Sequence, residues 1–283
     1  MTARVGATAR LASTDAEVDG LRRSVAAFSA AVVGVATLAV AQTSASDVVA
    51  GSQTAVSGAR PLALVYRGPA SCPGCSEAVA HLLRTSKFHF RIEYVGPQER
   101  TKLVAASFVG ATLYAQPGGD TSVARANKLV GSAGKQAIKS FVSHGGRYLG
   151  FCQGAYLAGS GPGMGLLSPG NTGQYIATKG ATTHSTADTV VPIRWGNQTR
   201  QVFFQDGPYM TRSGVRGERV LARYSNRRIA ALVKPYGKGR VGVVGPHPEA
   251  PQRWFRQAGI ASKDLDGLDG RLGRSLIDAT MNR

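Results

Sequence analysis

The sequence predicts an α/β fold built on a mostly parallel sheet with helices on both faces and a strand-rich second half. Two observations carry this. In the first half, strand-like and helix-like segments follow in the order strand, helix, strand, strand, helix, strand. Several of the strand-like segments are short apolar runs closed by glycine or proline, the texture of strands buried on both faces.

The elements read as follows. PLALVYRG, from Pro61, is the first strand, and Ser76–Arg84 has helical spacing with Val79, Leu82 and Leu83 on one side. FHFRIEYV (88–95) alternates and is the second strand; Val109–Gln116 is the third, stopped by Pro117-Gly118-Gly119-Asp120. Lys135–His144 is an amphipathic helix ended by Gly145-Gly146, and Arg147–Phe151 is a strand running into Cys152. In a parallel sheet, loops after strand C-termini share one edge, where sites form. Gly68–Cys75, Pro117–Asp120 and Cys152 are therefore expected together. Beyond them, 181–195, 201–210, 219–225 and 229–249 are strand-like, with Tyr236-Gly237-Lys238-Gly239 as a hairpin turn, and 251–258 and 271–281 are closing helices.

The N-terminal part has a different character. Ser24–Ala41 is an apolar run behind Arg22-Arg23, ending in Ala39-Val40-Ala41. That is the layout of a secretory signal with an A-x-A cleavage site; its length is marginal for a retained membrane anchor. Residues 1–41 thus read as signal peptide or anchor, 42–60 as a flexible linker and 61–283 as one folded domain. The expected location is secreted or cell-surface, with membrane attachment only if the segment stays uncleaved. A formal charge of +18 favours anionic partners such as cell-wall polymers. The basic residues are spread along the chain with no nucleic-acid motif, so no specific nucleic-acid partner is expected.

The chemistry concentrates at Gly150-Phe151-Cys152-Gln153-Gly154. A nucleophile elbow between strand and helix needs small flanking residues, because the turn is strained and the helix packs close to the strand. Cys152 is the candidate nucleophile. The N-terminus of the following helix favours negative charge on the sulfur. The Gln153 N–H and the backbone at Gly118-Gly119 are the candidate oxyanion donors. His247 follows the strand ending at Gly245, and Glu249 lies two residues on, on the same side of an extended segment. This suits His247 as base and Glu249 as the carboxylate that orients it. His81, His89, His144 and His184 read as ordinary surface or core residues.

Pro-Gly-Gly-Asp, Gly-Phe-Cys-Gln-Gly and Gly-Pro-His-Pro-Glu, in this order, resemble the class I glutamine amidotransferases. LVYRGP, QPGGD and GGRYLGFCQGAYLAG are most similar to the biotin-protein ligase N-terminal domain family. The resemblance covers about residues 61–250. It implies a flavodoxin-like three-layer sandwich with a Cys152-His247-Glu249 triad at the C-terminal edge of the sheet. Ala155 stands where amidotransferases usually carry His, Gln or Met, so the resemblance does not imply glutamine itself as substrate.

The reading is an exported cysteine hydrolase or amidotransferase acting on a small-molecule or peptide-like amide. A non-catalytic binding module on the same fold and a thiol redox or detoxifying protein are the alternatives. Cys72-Pro73-Gly74-Cys75 has no second C-x-x-C or H-x-x-H, so no metal is expected, and no motif calls for a cofactor. In an exported protein a Cys72–Cys75 disulfide is the plain expectation. The denatured, non-reduced protein is then expected to alkylate at Cys152 alone, and at all three cysteines after reduction. Alkylation of Cys72 and Cys75 without reduction would rule the disulfide out.

Overall fold

The computed structural model describes residues 59–264 and 266–282. The Ser24–Ala41 run and nearly all of the 42–60 segment lie outside them. Among the described residues, no helix is long and apolar enough to cross a membrane.

β1 (Leu62–Tyr66) is buried along its whole length. α1 (Cys75–Arg84) follows and buries Val79, Leu82 and Leu83. β2 (Arg91–Val95) is shorter than the alternation of 88–95 predicts, because His89 takes a φ of 48° and interrupts the extended chain. β3 (Ala111–Gln116) begins two residues later than expected, after Gly110 at φ 74°. α2 (Val123–Ser143) reaches well ahead of the predicted Lys135 start. Ser122 caps it by accepting from the Arg125 N–H, and Gly131 (φ 75°, ψ 162°) divides it into two helical stretches. The glycines at 131 and 134 and the serine between them conceal this first stretch in the sequence. β4 (Arg147–Phe151) has the predicted bounds and leads through Cys152 into α3 (Gln153–Ala158).

The second half holds β5 (Thr172–Gln174), β6 (Thr189–Trp195), β7 (Gln198–Phe204), β8 (Pro208–Met210), β9 (Arg219–Tyr224), β10 (Ile229–Tyr236) and β11 (Gly239–Val244), then α4 (Gln252–Gln257) and α5 (Gly270–Met281). Two of its predicted strands are cut. The first half of 181–195 is irregular because Thr183 and Ser185 side chains capture the backbone N–H groups of Ser185 and Ala187. The 201–210 run breaks at Gln205-Asp206-Gly207, where Asp206 has φ 46°.

The strands form one sheet in the order β2-β1-β3-β4-β11-β10-β9-β6-β7, with β5 and β8 off that path. The first five are mutually parallel. From β10 onward the sheet is antiparallel. A two-residue turn at Gly237-Lys238 folds β11 back from β10, pairing Tyr236 with Gly239. β11 then lies parallel to β4, with Val244 beside Phe151. The chain leaving β11 toward His247 and the chain leaving β4 into Cys152 therefore emerge side by side. α1 and α5 cover one face through Val79, Leu83, Leu276 and Ile277. α2 and α3 cover the other through Ile138, Val142, Ala155 and Leu157. This is the three-layer arrangement the sequence predicts.

The junction of β4 and α3 tolerates no side chains on its flanks. A Cβ at Gly154 would stand 2.1 Å from the Gln116 carbonyl oxygen, and one at Gly150 would stand 2.6 Å from that of Gly154. Because the obstacle is backbone, Gly154→Ala is expected to destabilise the fold by about 2–3 kcal/mol. Thermal melting checks this as a drop of several degrees in the midpoint.

Candidate active site

Cys152 sits at φ 48°, ψ −107°, a sparsely populated conformation for a residue with a Cβ. Its N–H donates to the Val244 carbonyl of the neighbouring strand at 2.9 Å. The buried Tyr148 hydroxyl donates to the Gly154 carbonyl at 2.7 Å, tying α3 back to β4. α3 is only six residues long. Its contribution at Cys152 is therefore the free N–H groups of its first turn more than an extended dipole.

His247 is held by its own N–H donating to the Phe203 carbonyl at 2.8 Å. Its ring lies edge-on to Phe203 and Trp254, with centroids 5.9 and 5.6 Å away. Its Nδ1 is 2.9 Å from Glu249 Oε1, and both side chains are buried. With Nδ1 engaged, Nε2 is the nitrogen left for the Cys152 sulfur, whose charge acts on the imidazole. Burial opposes charge on this imidazole. The Cys152 and Glu249 charges, with the hydrogen bond that the imidazole donates to Glu249, outweigh it and hold the His247 proton well above the usual histidine range. The sulfur also lies 3.4 Å from the Gln205 carbonyl oxygen.

The Gly118-Gly119 loop packs directly on this pair. A Cβ at Gly118 would stand 2.7 Å from His247 Cε1 and 3.7 Å from Cys152 Cβ, so a side chain here would displace the imidazole. The Gly118 carbonyl accepts from the Cys72 N–H at 3.0 Å. A trans peptide points its C=O and next N–H in opposite directions, so the Gly119 N–H faces away from the Cys72 loop. The Gln153 side chain donates from Nε2 to the Thr121 carbonyl, tying α3 to the same loop. All six residues read as the site in the sequence (Cys152, His247, Glu249, Gly118, Gly119 and Gln153) thus converge at one edge of the sheet.

Cys72 and Cys75 are disulfide-bonded with Cα atoms 5.3 Å apart, and Cys152 is the free cysteine. The disulfide loop is fastened beneath the site by Gln116, whose buried Nε2 donates to the Ala70 carbonyl at 3.0 Å. Sequence reasoning missed Tyr156, Gln174, Gln205 and Asp206, which line a cavity of about 490 Å³ beside Cys152. The Asp206-Gly207-Pro208 turn signal could have revealed the last two. Gly207 lets that turn approach the chain before His247: a Cβ there would stand 2.0 Å from the Gly245 carbonyl oxygen.

Residues 62–161 match the family described as biotin-protein ligase, N terminal. A solved structure described as a glutamine amidotransferase is 16% identical with a TM-score of 0.51, over 77% of this chain and 98% of its own. A glutamine amidotransferase from Thermotoga maritima is 16% identical with a TM-score of 0.52, over 79% of this chain and 99% of its own. The fold is class I glutamine amidotransferase-like. Comparison with curated proteins gives no match. Within the amidotransferase-like fold, the loops after β3, β4 and β11 supply the residues gathered around Cys152.

The His247 shift has a sign in stability. A histidine that holds its proton more tightly when folded stabilises the fold fully below its unfolded value, near 6.5. That contribution is lost as pH rises through the raised folded value. The melting-point advantage of wild type over His247→Gln is therefore expected to be largest near pH 6 and to shrink on the alkaline side. Melting curves across that range check it; a gap that widens with pH would contradict the protonated assignment.

Proposed function

We propose that this protein is an exported cysteine-nucleophile acyl transferase of the hydrolase or amidotransferase type. The observation that carries the reading is Cys152 at a strained elbow beside a buried His247 whose Nδ1 is 2.9 Å from Glu249. Cys152 attacks a carbonyl carbon, His247 gives its proton to the leaving group, and Glu249 fixes the imidazole with Nε2 toward the sulfur. The Gln153 and Gly119 N–H groups receive the oxyanion. The acyl-enzyme then passes to water or an amine, with His247 taking the proton of that second nucleophile. The Ser24–Ala41 run and the Cys72–Cys75 disulfide both suit a compartment outside the cytoplasm.

Iodoacetamide at neutral pH is expected to label Cys152 at least tenfold faster than a free model thiol, an advantage lost in His247→Ala. Acyl and amide probes are expected to leave an acyl adduct on wild type and none on Cys152→Ala, read by intact mass. If Cys152 alkylates no faster than the free thiol, the activated-nucleophile reading is wrong.

A further inference from the structure

The cavity beside Cys152 has a charge character opposite to that of the chain. The sequence carries 34 Lys and Arg against 16 Asp and Glu. Yet the charged side chains lining the cavity are two carboxylates, Asp120 and Asp206, with no basic side chain among the lining residues. Asp206 is placed with care. It sits at φ 46° next to Gln205, whose carbonyl faces the Cys152 sulfur at 3.4 Å. Both of its oxygens are 2.9 Å from Gln174 Nε2, which orients the carboxylate.

The uncharged lining points the same way. Gln153 is 3% exposed and its Oε1 has no hydrogen-bond partner. The Thr121 carbonyl accepts from Gln153 Nε2, which sets the orientation of the amide and leaves the lone acceptor unserved. The Tyr156 hydroxyl is also buried without a partner and lies in the field of both Asp206 and Cys152. A buried acceptor left unpaired is costly and marks a place for a donor. Burial also raises the Asp206 carboxyl above its usual range, a cost that a bound cation would offset.

We infer that the site takes acyl compounds carrying a primary ammonium group near the scissile carbonyl, with Asp206 as the specificity residue and Gln153 Oε1 and the Tyr156 hydroxyl as further acceptors. This rests on the acyl-transfer reading above. Among the described residues lining the cavity there is no Lys or Arg to receive a free carboxylate, so simple anionic acyl compounds are disfavoured.

The test uses three probes of similar length: N-(4-aminobutyl)chloroacetamide, N-pentylchloroacetamide and N-(3-carboxypropyl)chloroacetamide. Labelling of Cys152 is followed by intact mass at probe concentrations below saturation. The ammonium probe is expected to react at least tenfold faster than the pentyl probe, and the carboxylate probe slowest. In Asp206→Asn the ammonium-to-pentyl ratio is expected to fall to within about twofold of one. Asn is nearly isosteric and tolerates the positive φ at 206, so the turn is retained. A ratio near one in wild type, or a preference for the carboxylate probe, overturns the inference while fast iodoacetamide labelling leaves the nucleophile reading standing. Binding is tested separately in Cys152→Ala with N-(4-aminobutyl)acetamide and N-pentylacetamide. The inference requires a melting shift for the ammonium compound alone, lost on adding Asp206→Asn; equal shifts or none overturn it whether or not Cys152 proves reactive.

Discussion

The site depends on how closely backbone meets backbone around Cys152. Gly150, Gly154 and the Gln116 carbonyl leave no room for side chains at the glycines, and Cys152 itself is forced to φ 48°. Such a conformation costs on the order of 1–3 kcal/mol and persists only when its surroundings over-determine it. Here they do. The Cys152 N–H is bonded to β11, the Gly154 carbonyl to Tyr148, and the Gln153 side chain to Thr121. The sulfur is thereby lifted out of the strand and offered to the loops that follow its two neighbouring strands, β3 and β11.

Those loops supply different kinds of group for a common physical reason. Parallel strands β3, β4 and β11 all end at the same edge, so the glycine loop, the cysteine and the histidine arrive together without long-range threading. Burial then makes their electrostatics matter. His247, Glu249 and Cys152 are each less than 10% exposed, where an unpaired charge is costly, so charge on one is compensated by the others. The disulfide loop adds rigidity from below. Its Cys72 N–H holds the Gly118 carbonyl, and that bond sets the direction of the adjoining Gly119 N–H.

The antiparallel half of the sheet adds what the parallel core lacks. The turn between β7 and β8 brings Gln205 and Asp206 over the cysteine, and β5 brings Gln174 to steady Asp206. The parallel core thus carries Cys152, His247 and Glu249, while the extension shapes the cavity beside them.

Much of this was legible in the chain. The glycines around Cys152, the strand before it and the His247-Pro248-Glu249 spacing are local patterns, and local sterics suffice to read them. Strand and helix ends were less legible, because they turn on single residues such as His89 and Gly131 whose backbone angles answer to tertiary packing. Least legible was Asp206. Asp206-Gly207-Pro208 signals a turn, but its place beside Cys152 is set by contact between Gly207 and the Gly245 carbonyl, nearly forty residues later in the chain. By itself, then, the sequence determined the glycine-flanked elbow and the His247-Pro248-Glu249 spacing, since short-range sterics encode both. Only the tertiary structure decided what faces them, because the lining of a cavity is assembled from segments that meet through packing rather than through any pattern along the chain.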